Sequence, residues 1–161
     1  MTIPAPIQDF LAKSGVPFSA FTHVTAFTAQ EEAAASHVPG KEWAKTVVCF
    51  ADTEPILAVL PAHFSVDLEQ LRRLAGCNTI RLAEEREIEG MYPECETGAM
   101  PPLGPLYGQR VFVDRSLTTD PEVVFNAGTH SDAVRLKYAD LAAVVKPTVG
   151  EFGRPPHRTA A

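Results

Sequence analysis

The chain has 161 residues, of which 45% are hydrophobic, and carries a formal charge of −6 at neutral pH. That is enough for one domain with a substantial core, and the acidity argues against indiscriminate gripping of a phosphate backbone, DNA included, which needs many lysines and arginines. No apolar run approaches about 18 residues, and the start MTIPAPIQDFLAKSG lacks a basic stretch followed by an apolar one, so neither a membrane span nor a secretory signal is expected; the protein reads as soluble and cytoplasmic.

In chain order, Ile7 to Ser14 places Ile7, Phe10 and Leu11 on one helical face ahead of Gly15, and PFSAFTH follows as a strand. Thr28 and Glu31 have capping-box spacing and open an alanine-rich helix through His37, which Pro39 and Gly40 end. KTVVCFAD and PILAVLP are two β-branched-rich runs separated by Asp52, Thr53 and Glu54, the pattern of a hairpin at the centre of a sheet. Asp67 caps a helix carrying Leu68, Leu71 and Leu74, which Gly76 stops. TIRLA is a short strand, EEREIEGMY a short helix, and RVFVDRSL, EVVFNAG and DAVRLK are strands. Tyr138 to Val145 is a last helix, ended before Pro147. The folded unit is expected over residues 1–149, with 150–161 as a flexible tail, because GEFGRPPHRTAA is dominated by glycine, proline and small residues. Helices and strands alternate without a regular βαβ beat, and several strand links are too short for a crossover helix. This favours an α+β domain with a mixed or antiparallel sheet.

Three cysteines, Cys49, Cys77 and Cys95, form no Cys-x-x-Cys pair and read as reduced thiols. No two of the five histidines, His23, His37, His63, His130 and His157, have the helical spacing of metal ligands, so no metal or other cofactor is expected. No glycine spacing fits a phosphate loop, and Ser116 and Ser131 have no nucleophile elbow.

The stretch GAMPPLGPLYG, Gly98 to Gly108, is of another kind. Its prolines fix φ and remove donors, while its glycines permit close approach, so it is either a tight strand connection or a rigid wall with a few exposed amides. Lys45, at the head of KTVVCF, is either solvated or aimed into a cleft. His130 lies in the turn NAGTHSD; a loop histidine is suited to positioning water or accepting a proton, or is satisfied locally. Cys95 has no base beside it in sequence to make it a nucleophile.

Together these segments resemble the YbaK-like aminoacyl-tRNA deacylases, which share their fold with the editing domain of bacterial prolyl-tRNA synthetases. The resemblance is carried by TAFTAQEEAAASHVPGKEWAKTVVCFAD, PILAVLPAHFSVDLEQLRRLAG, TGAMPPLG, VFVDRSL and NAGTHSDAVRLKYADLAAVV, in the family's order, over roughly residues 17 to 147. It implies a mixed, mostly antiparallel, partly barrel-like sheet with surrounding helices, and a free-standing trans-editing activity on the ester of a mischarged tRNA bearing a small amino acid. It further implies Lys45, Gly98 and His130 as the catalytic set, with Ala99, Met100, Pro101, Pro102, Gly128 and Thr129 lining the aminoacyl pocket, and no metal or covalent nucleophile. Many relatives carry a further glycine where this chain has Ala99, Met100 and Pro101. The implied partners are the acceptor end of an aminoacyl-tRNA and, given the acidity, a synthetase or elongation factor that delivers it, with a basic patch near Lys45 drawn from Arg81, Arg135 or Lys137. The alternatives are a non-catalytic module that binds an aminoacyl or nucleotide-like ligand, or a synthetase, and a hydrolase of a small ester unrelated to tRNA.

Overall fold

A computed structural model describes residues 2–23 and 42–156. The expected capping box at Thr28 and Glu31, its alanine-rich helix, and His37 and His157 lie outside the described residues.

The two β-branched-rich runs form strands β2 (Ala44–Ala51) and β3 (Glu54–Pro61), paired antiparallel from Ala44 opposite Pro61 to Ala51 opposite Glu54. Asp52 turns the chain between them at φ 54°, a conformation that aspartate tolerates better than most side chains. Its carboxylate accepts the N–H groups of Asn78 and Thr79, at 3.2 and 2.9 Å, and so ties in β5 (Ile80–Leu82), which pairs antiparallel with β2. On the other side β6 (Arg110–Asp114) runs parallel to β3, and β9 (Thr148–Gly150) runs parallel to β6. The order is β5-β2-β3-β6-β9.

Both faces of this sheet are covered, which is why its central strands read as continuous apolar runs rather than as alternation. On one face Leu57, Val59, Val111 and Val113 pack with Ile7 and Leu11 of helix α1 (Ala5–Ser14) and with Leu141 and Val145 of the last helix (Tyr138–Val145). On the other, Ile56, Ala58, Leu60 and Phe112 bury Leu71 of helix α2 (Leu68–Ala75) and Phe152. Asp67 caps α2 by accepting the Gln70 N–H at 3.1 Å, and Gly76 ends it at φ 71°, as its sequence signals indicate.

A second, antiparallel sheet has the order β1-β8-β7, with β1 Ser19–Thr22, β7 Glu122–Thr129 and β8 Asp132–Lys137. Val123, Phe125, Val134 and Leu136 of one face complete the first core. On its other face, Val124 and Ala133 pack with the fully buried Trp43, and a parallel bridge from Trp43 to Val124 links the two sheets. The expected α+β domain with a mixed, mostly antiparallel sheet therefore forms, but the sheets stay open rather than closing into a barrel. No helix among the described residues is long and apolar enough to cross a membrane.

The chain does not leave the fold at Val149. Beyond it, Phe152 is 1% exposed, and β10 (Gly153–Arg154) pairs antiparallel with β4 (Ser65–Val66). Composition hides this, because one aromatic and one carboxylate outweigh the surrounding turn formers. Asp114, itself buried, accepts the N–H groups of Phe152 and Gly153 on Oδ1, at 3.0 and 2.7 Å, and bonds Ser116 through Oδ2. Asp114→Ala would strand those amides in the core, each worth about 1–3 kcal/mol when unsatisfied. A loss of about 3 kcal/mol, read as a fall in Tm of about 10 °C, is expected for a chain this size. A shift under about 2 °C would mean that water replaces the carboxylate without loss.

Candidate active site

After β5, helix α3 (Glu85–Met91) leads to Tyr92 and then to the proline- and glycine-rich stretch. Tyr92 is fully buried, donates its hydroxyl proton to Gln109 Oε1, and packs edge-on against Tyr107 at 4.6 Å between ring centroids. The second half of the stretch is not a loop: Gly104–Tyr107 forms a one-turn helix, α4, closed by Gly108 at φ 66°. Gly104 belongs to packing, since a Cβ there would lie 2.2 Å from the Gln109 carbonyl oxygen and 2.4 Å from Val111 Cγ2.

The first half, Glu96 to Pro102, is bound to the end of β7 from several directions. The Glu96 N–H donates to the Gly128 carbonyl and the Gly128 N–H donates to the Ala99 carbonyl, both at 2.8 Å. The Ala99 N–H closes the turn on the Glu96 carbonyl at 3.0 Å. The Glu96 carboxylate accepts the His130 N–H, and His130 Nε2 reaches the Thr97 carbonyl, again both at 2.8 Å. That carbonyl can only accept, so His130 carries its proton on Nε2 in this bond.

Gly98 sits at the tip, exposed, with φ 90°. A Cβ there would stand 3.3 Å from His130 Cε1, so a bare backbone lets the imidazole lie against the turn. The Gly98 N–H has only the Met100 thioether for a partner among the described residues, at 3.3 Å, a weak acceptor. No hydrogen bond among the described residues uses the N–H of Thr97 or of Met100. This is a cluster of backbone donors with spare capacity, on a turn that Pro101 and Pro102 stiffen. Behind it Ala99, Met100, Pro101 and Pro102 are all buried, with Met100 in the core beside Tyr92 and Leu103.

Gly128 and Thr129 have their polar groups committed elsewhere. Gly128, at φ 96°, spends both backbone groups on the turn, and a Cβ would meet Pro4 Cδ at 2.6 Å. The Thr129 hydroxyl donates to Asp132 Oδ2 at 2.6 Å and accepts the Ser131 and Asp132 N–H groups at 3.2 and 3.0 Å. Both hold the β7–β8 turn that presents His130.

Lys45 stands on β2 opposite Leu60, half-buried, and its side chain forms no ion pair or hydrogen bond among the described residues. Burial pulls its ammonium pKa below the usual 10.5. The parallel Trp43–Val124 bridge makes β2 and β7 run the same way past it, so Lys45 and the Asn126–Thr129 end of β7 lie beyond it in the same direction. Glu96 is a residue the sequence does not flag, since an acidic residue before a turn carries no motif. His23 is another: its N–H donates to the Ser131 carbonyl at 2.8 Å and its ring meets Trp43 edge-on at 5.6 Å, placing it next to the His130 turn.

Other candidates carry less. Burial pushes the Cys95 thiol up to about 11, away from the thiolate a nucleophile needs. Arg81 is engaged with the Glu87 carboxylate at 2.8 and 2.9 Å and lies over the Phe50 ring, so it does not join a basic patch. Among the described residues no group of three histidines, cysteines or acidic side chains could hold a metal ion.

The family model of the aminoacyl-tRNA editing domain matches residues 23–144. The multifunctional Ser/Thr-tRNA deacylase ProXp-y of Escherichia coli is 29% identical over 158 residues, covering 89% of each chain. The proline–tRNA ligase of Nitratidesulfovibrio vulgaris is 30% identical over 130 residues, 74% of this chain and 22% of that one. The crystal structure of a candidate trans-editing enzyme for prolyl tRNA synthetase superposes with a TM-score of 0.78 at 22% identity, covering 94% of this chain and 98% of that one. The family model spans most of the chain, and the chain belongs to the aminoacyl-tRNA editing domain family.

Proposed function

We propose that this domain is a trans-editing deacylase that hydrolyses the ester between a small amino acid and the 3′ end of a mischarged tRNA. The observation that carries this reading is the Gly98 turn, whose under-used N–H groups are held in place by His130, Glu96 and Gly128. An aminoacyl ester is already activated, so catalysis needs a placed water, donors for the developing oxyanion and a pocket that excludes larger side chains.

In the proposed reaction water adds to the ester carbonyl, and the oxygen that becomes negative is met by the Gly98 N–H and its neighbours. Preorganised donors of this kind are worth about 3 kcal/mol each when aimed at the transition state. The tetrahedral intermediate then expels the terminal ribose oxygen, which takes up the proton given up by the attacking water and leaves as the alcohol, releasing the free amino acid. Lys45 supplies positive charge, to the ester oxygen or to the terminal phosphate. His130 holds the Thr97 carbonyl and so sets the direction of the Gly98 N–H. Gly128 and Thr129 support the same turn from behind, and the Ala99, Met100, Pro101 and Pro102 wall limits the size of the bound side chain. A synthetase or an elongation factor is the proposed source of the charged tRNA.

The test is a deacylation panel of tRNAs charged with alanine, serine, threonine, cysteine and proline. Turnover of one or more small aminoacyl esters, at least about tenfold above the uncatalysed rate, is expected. No turnover of any of them, with a synthetase added, would leave the binding module in its place.

A further inference from the structure

The face of the β1-β8-β7 sheet that carries Val124 also carries two cations that form no ion pair among the described residues. Arg135 faces Ser19 of β1 and Val124 of β7 in register, and Lys137 follows two residues later on the same face, opposite Glu122. The Arg135 Nε is shielded from solvent and meets no acceptor among the described residues.

Arg135 and Lys137 line a cleft of about 180 Å³ with Phe18, Ser19, Glu122 and Asp140. Phe18 is 38% exposed, one of only two large apolar side chains that stand out among the described residues, and it lies at this cleft. Neither Glu122 nor Asp140 forms an ion pair with either cation. An exposed aromatic beside such cations is the arrangement that holds single-stranded nucleic acid, with a base stacked on the ring and phosphates on the cations. A second relation points the same way. From Asp132, at the turn that presents His130, Arg135 and Lys137 lie roughly 10 and 16 Å along β8 at about 3.3 Å per residue, a few nucleotides from the Gly98 turn.

We propose that Arg135, Lys137 and Phe18 form the docking track for the single-stranded 3′ end of tRNA, with Arg135 and Lys137 on its phosphates and Phe18 under a base. The proposal rests on the deacylase reading for its substrate, but its test does not depend on turnover. Glu122 and Asp140 at the rim keep the grip modest, in keeping with an acidic protein that must release each tRNA.

The probes are uncharged tRNA and a single-stranded RNA oligonucleotide ending in CCA, bound to the full chain at several salt concentrations and followed by fluorescence anisotropy. For the double variant Arg135→Gln/Lys137→Gln, the Kd for both RNAs is expected to rise about tenfold. The slope of log K against log salt should shrink by about 1.5, two cations at about 0.7–0.9 each. Arg135→Lys should retain most of the slope, and Phe18→Ala should weaken binding without altering it. In deacylation the double variant should raise KM with kcat unchanged, while hydrolysis of an aminoacyl-adenosine, which has no upstream phosphates, should match the parent. Unchanged RNA affinity and salt slope in a double variant that melts like the parent would overturn the docking track. A double variant that melts lower is replaced by the Arg135→Lys and Phe18→Ala pair, for which equal loss of slope would overturn it. Failure of the parent to hydrolyse any ester, with RNA binding as expected, would count against the deacylase reading alone.

Discussion

Lys45→Ala is expected to lower kcat/KM for the preferred aminoacyl-tRNA by about 100- to 1,000-fold, the scale of losing one preorganised charge or donor at an acyl-transfer site. Lys45 is half-buried, partly desolvated and unpaired among the described residues, so alanine removes an ammonium without stranding a partner there, and the Tm should not fall by more than about 2 °C. In the proposed role the group acts as a cation, so activity should be lost as pH rises through its pKa. Burial lowers that value, so the alkaline limb should lie below the 10.5 of an ordinary lysine. Single-turnover deacylation across pH, corrected for spontaneous hydrolysis, reads this directly. An alkaline limb that survives in Lys45→Ala, or a variant within about threefold of the parent, would assign the chemistry to other groups.

Gly98→Ala tests the turn. At φ 90° an L-residue is strained by roughly 1–2 kcal/mol, and its Cβ would press on His130 Cε1 at 3.3 Å, moving the imidazole or the turn. A fall in Tm of about 5 °C is expected from the strain, together with a loss in kcat of about 100-fold as the donors swing off the oxyanion. Gly108→Ala separates the two effects. Gly108 has φ 66° and open space where a Cβ would stand, so its replacement should cost similar stability and leave activity intact. If both variants lost Tm alike and neither lost kcat, Gly98 would be a packing residue and the oxyanion assignment would fall.

The contrast between these two glycines shows what a linear reading can reach. Both stand in GAMPPLGPLYG, and nothing in the string separates Gly98, against His130, from Gly108, which closes a one-turn helix, or from Gly104, which is wedged on Val111. The distinction requires knowing what lies across the turn, and for Gly98 that partner stands about 30 positions away in the chain. The strand that carries Lys45 is legible because its apolar, β-branched run is long. Arg81 does not join the expected basic patch because a helical Glu87 takes it, whereas Arg135 and Lys137 are left uncommitted by the strand register. The tail departs from its composition for a related reason: Asp114 reaches nearly forty residues along the chain to hold Phe152 and Gly153.

What the amino-acid sequence determined by itself was whatever depends on neighbours in the chain. The hairpin of β2 and β3, the Asp67 cap, the Gly76 stop and the last helix all follow from local periodicity, capping oxygens and left-handed glycines, which act within a turn or two. The α+β class followed from the lengths of the links. Only the tertiary structure decided that the sheets stay open, that Glu96 braces His130 while Thr129 spends its hydroxyl on Asp132, and which cations are left without an ion pair among the described residues. Those outcomes are set by which polar groups meet across distant strands, and hydrogen bonds and ion pairs are decided by distances of a few ångströms that no spacing along a chain encodes.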